Sequence, residues 1–464
     1  MFILTKGEQD MNLLKSLTST LNLWRPFFTK KQAFLRAKSH AVAALCQFGK
    51  ATITSFAIFL GKTKTKPSSD YKLYSKSKWK TQDIFNPILK KCLDYVPDDF
   101  IAVGVDDTRL KKTGKKIPFT SWHRDPMSPA FYVNLIWGLR FLQFSVLLPL
   151  HRLWQKPPRA IPIRFINAPH IKKPRKKARE EEIKEYKLAK EKLNLSSLFK
   201  EHATYLRKTL DEMGYQDKKL LLVGDGSFCN KTCMGMDLDR TSLVARCRKD
   251  SKLCFASQKK RKFYGDFTFT PLDVLQDSTL IWQEGFIYYG GYFNPVRYKQ
   301  IKNVLWKSGT KRKLLKLIVI APQPYRKAGK KCYRQPAFLL STDQELDTLK
   351  IIQAYFDRLQ IEYNHRDEKS ILGVGQAQLR NEKSVEKQPA LHVAAYSALL
   401  LASLEAYQDE PILVDDPPWR RPARRITLRA LKGQLRKSII ESPQIWEECG
   451  LTVPILAEIF KKAA

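Results

Sequence analysis

A chain of 464 residues has room for about two to four domains, and its 43% hydrophobic and 11% aromatic content supplies a sizeable core, which excludes a disordered chain. Its 83 Lys and Arg against 45 Asp and Glu leave a formal charge of +38, a self-repulsion that a polyanion relieves, so nucleic acid is the leading partner. Eight cysteines are too few for a disulfide scaffold and the opening apolar stretch is too short for a secretory signal, so a reducing, cytoplasmic setting is expected.

Residues 1–98 read as a helical DNA-binding region. Segments 31–49 and 82–95 carry apolar residues at helical spacing, and the Lys- and Ser-rich stretch 62–80 between them reads as a loop. Segments 41–61 and 131–150 approach the length of a membrane span. Gln47, Lys50, Asn134 and Arg140 interrupt them, so no membrane partner is expected. Residues 100–105 form an apolar run that stops at Asp106 and Asp107, which reads as a buried strand ending in carboxylates. Segments 132–137 and 141–148 read as two strands turning near Gly138. A basic connector, 172–177, leads into one long charged helix over 178–213. A second buried strand, 219–225, then stops at Asp225, and 243–246 makes a fifth strand. This order fits a ribonuclease H-like α/β core split between residues 99–246 and 346–410.

The segment 247–345 between the two parts reads as a basic, β-rich insertion. Residues 285–342 contain 13 Lys or Arg and no Asp or Glu, with aromatics throughout, a pattern suited to phosphate contacts and base stacking. A helix over 348–371, an apolar helix over 391–407 and a basic tail, 411–464, with Arg420, Arg421, Arg424 and Arg425, complete the chain.

Cutting a phosphodiester with two divalent ions requires carboxylates gathered at one point, because such hard ions prefer oxygen ligands. The strand ends offer Asp106 (or Asp107) and Asp225, the latter flanked by Gly224 and Gly226, which leave room for an ion or a phosphate. In isolation each is also an ordinary turn former. Tyr355, Arg358, Glu362 and Lys369 stand at offsets of 0, 3, 7 and 14 residues. On a helix these fall within roughly 60° of one another. One face thus offers a third carboxylate beside phosphate-holding groups, although a solvated salt-bridged stripe has the same spacing.

The spacing Tyr355-x2-Arg358-x3-Glu362-x6-Lys369 resembles the Y-(2)-R-(3)-E-(6)-K signature of a group of bacterial insertion-sequence transposases with a DDE triad. Leu359-Gln-Ile-Glu362 and the 369–378 segment are similar to that family's text around its Glu. Val105-Asp-Asp-Thr108 with Lys112-Thr-Gly-Lys115 is similar to its first-Asp motif, and Val223-Gly-Asp-Gly226 to its second. The resemblance spans roughly residues 30 to 410; Leu359 and His365 depart from it, standing where aromatics are usual. It implies a transposase that cleaves element-end DNA and transfers the strand into target DNA. The implied triad is Asp106, Asp225 and Glu362 on two Mg2+, with Mn2+ as a substitute, and Tyr355, Arg358 and Lys369 hold DNA phosphates. A DNA-bound homodimer acting on double-stranded DNA, associated with the nucleoid, is implied as well. Asp107 stays open as the alternative to Asp106, since neighbours in a strand point to opposite faces. An inactive, domesticated relative and a non-catalytic nucleic-acid-binding protein are the rival readings.

Cys229, Cys233, Cys247 and Cys254 lack the spacing of a zinc site and read as buried thiols. His365 falls about 300° round the helix from Glu362. Trp282 and Trp306 read as core residues before stacking platforms. No GxxxxGK[ST] loop is present, which argues against an ATP-driven motor.

Overall fold

The computed structural model describes residues 6–411, 424–448 and 451, apart from 63, 65, 126, 127, 130, 177, 260, 311, 328 and 442. Arg420, Arg421 and most of the 411–464 tail therefore lie outside the described residues, as does Lys177 of the basic connector. The fold is α/β, with one large mixed sheet and helices packed over it.

Six strands form the first part of the sheet: β1 (Phe100–Lys111), β2 (Ser121–Arg124), β3 (Leu135–Leu148), β4 (Arg159–Asn167), β5 (Lys219–Gly224) and β6 (Thr241–Arg246). β3 runs antiparallel between β1 and β4, while β1, β5 and β6 are mutually parallel. The spatial order is thus β4-β3-β1-β5-β6, with β2 on part of β3. Both faces of β4, β5 and β6 and of the second half of β3 are largely buried, which favours continuous apolar runs.

Eight further strands follow: β7 (Leu253–Ala256), β8 (Tyr264–Phe269), β9 (Gln283–Tyr289), β10 (Tyr292–Leu305), β11 (Leu314–Ile320), β12 (Pro324–Lys327), β13 (Lys330–Tyr333) and β14 (Ala337–Ser341). β14 pairs with β6, and β11, β10, β7 and β8 extend the same sheet; β9 pairs with β10, and β12–β13 make a separate hairpin. The basic block is therefore hydrogen-bonded to the core sheet.

Several expectations need correcting. Residues 135–137 and 141–148 belong to one strand, β3, while 132–134 precede it, and Gly138 is no turn. A Cβ on Gly138 would meet the Leu110 carbonyl oxygen at 2.4 Å, so the glycine permits close approach of β1. The third strand is instead β4. The long helix over 178–213 breaks into Glu180–Leu193 and Leu195–Glu212, because the Asn194 side chain accepts from the Ser197 N–H at 2.9 Å and caps the second. The 62–80 stretch contains the helix Ser68–Ser75, anchored by Asp70, Leu73 and Tyr74. The buried His40 ring bridges Asp70 at 2.9 Å and the Tyr74 hydroxyl at 2.8 Å.

The helix Glu382–Tyr407 runs through the core, against β4 and the helices Lys6–Asn22, Lys31–Cys46 and Thr81–Leu93. Among the described residues it alone is long and apolar enough to cross a bilayer, and 89% of its most apolar window is buried inside the protein.

Candidate functional site

The parallel pairing of β1 and β5 sets Gly104 beside Val223. Two residues beyond that pair stand Asp106, still on β1, and Asp225, just past the end of β5, close enough for the charge of Asp225 to act on Asp106. β1 does not stop at Asp106, as the sequence suggested, but continues to Lys111 alongside β3. Asp225 follows β5 directly and caps a short turn: its carboxylate accepts from the Ser227 N–H at 2.9 Å and the Ser227 hydroxyl at 3.1 Å. The space left by Gly224 is taken by Phe228, whose Cβ would lie 2.9 Å from an added Cβ.

The alternation of the strand separates the two aspartates. Asp107 takes a two-pronged contact from Arg140, at 2.8 and 2.9 Å, and lies 3.2 Å from Arg109. Burial alone would raise its carboxyl, but these guanidiniums hold it below the usual range. Asp106, on the other face, meets Arg358 at 3.4 Å. Burial pushes its carboxyl up to about 7; Arg358 opposes the rise, and the negative charges of Asp225 and Asp107 add to it. Asp107 is thus committed to structural ion pairs, and Asp106 remains the candidate ligand.

The helix expected over 348–371 is interrupted. It runs from Thr348 to Asp357, turns at Arg358 and Leu359, resumes over Gln360–Arg366, and ends in a wider π-turn, Asp367–Ile371. It nonetheless lies on the Asp106 face of β1. A Cβ on Gly104 would meet Ile361 Cδ1 at 2.6 Å and Arg358 Cγ at 3.3 Å, so the glycine is where this helix beds onto the strand. Lys369 Nζ donates to the Thr108 hydroxyl at 3.1 Å, which fastens the far end to the same face. Glu362 is 61% exposed and 4.0 Å from Arg358. Tyr355 is close enough to Asp225 and Glu362 to feel both charges; burial, aided by them, raises its phenol.

Arg358 thus stands between Asp106 and Glu362, Tyr355 lies within range of Arg358, Glu362 and Asp225, and Lys369 sits on Thr108 of the same strand as Asp106. Among the described residues, however, no three of His, Cys, Asp and Glu converge as a ready-made metal cluster. The donors still fit a hard cation. They are all carboxylates, and Asp106 has only one guanidinium to offset two nearby negative charges.

The segments that the sequence set beside the triad also meet. Lys112 Nζ donates to the Gly375 and Ala377 carbonyls at 2.5 and 2.7 Å, and Gln378 accepts from the Thr113 and Gly114 N–H groups at 3.3 and 3.2 Å. Glu362 opens onto a cavity of about 720 Å³ walled by Arg246, Tyr325, Tyr333, Arg334 and Tyr355. Arg246 and Arg334 were not singled out from the sequence. Arg246 ends β6, parallel to the strand that delivers Asp225, and that strand order was the signal available.

His365 is fully enclosed; burial and Lys369 push its ring down to about 3, so it stays neutral and away from proton transfer. The seven described cysteines are free thiols, and burial raises Cys229 to about 12 and Cys233 to about 11, far from metal-binding thiolates. Trp282 is no core residue: it is partly exposed, with Lys299 at 4.6 Å and Arg297 at 5.4 Å over its ring. Trp306 packs against the core. No protein-family model and no curated protein matches this chain.

Proposed function

We propose that the chain is a DDE-type transposase with a ribonuclease H-like core, which cleaves element-end DNA and joins it to target DNA. The observation that carries this reading is the parallel β1–β5 register, which sets Asp106 beside Asp225, with the Glu362 helix bedded on Gly104 of the same face. The strand order β4-β3-β1-β5-β6, with β3 alone antiparallel to both neighbours, supports the core assignment.

Asp106, Asp225 and Glu362 would hold two Mg2+, or Mn2+ in their place, which when bound activate the attacking oxygen and stabilise the leaving one. Arg358, Lys369 and Tyr355 hold the phosphates of the strand being cut, and Arg246 and Arg334 extend that grip along the cavity wall. The acid-free basic block and the charge of +38 supply the sequence-independent attraction for double-stranded DNA. Successive cleavage and strand transfer are in-line displacements, so one set of carboxylates serves each, and a DNA-bound dimer brings two ends together.

A second reading, a nucleic-acid-binding relative that does not cut, is favoured by the lack of a ready-made metal cluster among the described residues and by Arg358 standing against Asp106. Incubation of the purified chain with Mg2+ and DNA carrying the inverted repeats that flank its gene separates the two. The transposase reading expects nicks at the repeat ends that vanish in Asp225→Ala. Binding without nicks, in Mg2+ and in Mn2+ alike, supports the second.

A further inference from the structure

A cavity of about 330 Å³ lies away from the triad, between the start of β1, the end of β3, the β9–β10 hairpin and the helix Thr348–Asp357. Four aromatic rings, those of Phe100, His151, Phe286 and Phe293, line it among aliphatic and charged side chains. The His151 ring stacks on Tyr288 at 5.2 Å and 15°, and meets Phe293 nearly edge-on at 6.3 Å. Burial and Arg152 push the imidazole down to about 4, so the ring is neutral and acts as another aromatic wall.

Asp357, 4% exposed, lies on the wall of this cavity and also borders the arginine-lined cavity beside it. Its hydrogen bond comes from a neutral group, Gln353 Nε2, at 2.7 Å. Gln353 is itself committed to the Tyr288 backbone, accepting from its N–H at 2.7 Å and donating to its carbonyl at 3.0 Å. No cation pairs with Asp357 among the described residues. The cations at the rim are engaged, Arg152 by Asp98 and Lys350 by Asp99 at 3.5 Å. Arginines line the cavity on the other side of this helix, and none of them makes an ion pair with Asp357. Burial pushes the Asp357 carboxyl up to about 8, so the empty site holds a neutral acid at neutral pH, which becomes a carboxylate once a cation replaces its proton.

Such a place suits one class of ligand. Aromatic faces attract cations, and a carboxylate gives an ammonium a charge-assisted hydrogen bond that burial strengthens. The volume sits at the low end of the roughly 300–1,000 Å³ typical of ligand pockets, which limits the occupant to one or two rings. An anion would meet Asp98 and Asp347, whereas an ammonium would release the Asp357 proton to solvent and pair with the carboxylate left behind.

We propose that this cavity binds a small arylalkylamine, its ammonium on Asp357 and its ring against Phe286, Phe293 and His151. The ligand would tie the β9–β10 hairpin to the helix that ends immediately before Arg358, linking occupancy to the placement of the basic block over the triad. The site goes beyond the transposase reading, and its test needs no DNA cleavage.

Isothermal titration of the full chain at pH 8, where Asp357 gives up its proton readily, with phenethylamine and tryptamine set against indole and 3-phenylpropionate, tests it. The amines are expected to bind at least about 10-fold more tightly than indole, and 3-phenylpropionate not at all. Asp357→Asn keeps the shape and the acceptor for Gln353; it should weaken the amines by about 10-fold or more and leave indole unchanged. Phe286→Ala, at a side chain 68% exposed and so safe for folding, should weaken both amines several-fold. Amines that do not bind, that bind no better than indole, or that titrate Asp357→Asn like the parent overturn the proposal.

Discussion

Gly104→Ala tests how the triad is assembled. The new Cβ would stand 2.6 Å from Ile361 Cδ1, 3.1 Å from Leu147 Cδ2 and 3.3 Å from Arg358 Cγ. The first two are ends of side chains and can swing aside, so the helix shifts without the fold being lost. Overpacking of this kind costs about 1–3 kcal/mol. Replacing glycine in a strand returns roughly 0.5–1 kcal/mol through the unfolded chain. A net loss of about 0.5–2 kcal/mol is expected in urea unfolding. The effect on cleavage should be much larger, because displacing a reacting group by about 1 Å can cost roughly 100-fold. Ile318→Val, a core change on β11, a strand that carries no triad residue, should cost about 0.5–1.5 kcal/mol with unaltered nicking. If Gly104→Ala and Ile318→Val nick DNA equally well, the packing of this helix on β1 does not set the site.

Four further substitutions divide the structural from the chemical roles. Asp107→Asn strips Arg140 and Arg109 of their buried partner and should lower stability by roughly 2–4 kcal/mol, whereas Asp106→Asn should leave the melting temperature near that of the parent while abolishing nicking. The reverse pattern would exchange their assignments. Glu368, buried and bonded to Gln143, is pushed up to about 8 by burial. The unfolded chain releases this proton from about pH 4.5, so stability is fully present below that, falls by up to about 1.4 kcal/mol per pH unit, and levels above 8. Glu368→Gln should remove that decline, and parallel urea midpoints for both proteins from pH 5 to 9 would contradict it. Lys112→Met leaves the Gly375 and Ala377 carbonyls without their donor and should cost about 2–4 kcal/mol, with hydrogen exchange in residues 372–378 rising before that of β1. Unchanged exchange there would refute the role given to Lys112.

The sequence was most legible where a strand is buried on both faces. β1, β5, β6 and β11 stand out as apolar runs, and Asp106 and Asp225 stand out because they interrupt them. β4 was illegible for a physical reason. Pro162 lies within it, tolerated at the bulge opposite Ser145, and Arg164 is buried with its guanidinium bonded to Asn86, so the segment looks broken and polar. Gly138 reads as a turn because a close backbone approach leaves the same residue type as a tight bend. The choice between Asp106 and Asp107 needed the pleat and the position of Arg140, a residue that comes from another strand. Glu368 hid in a charged run, Asp367 to Lys369, that resembles a solvated face. Only the π-turn directs it inward.

The account rests on Asp106, Asp225 and Glu362 sharing metal ions, and anomalous scattering from crystals grown with Mn2+ and DNA observes this directly. The account predicts a Mn2+ peak between the Asp106 and Asp225 carboxylates, about 2–2.3 Å from their oxygens, with Arg358 moved off Asp106. Empty density between those carboxylates at saturating Mn2+, with Arg358 still paired to Asp106, would contradict it.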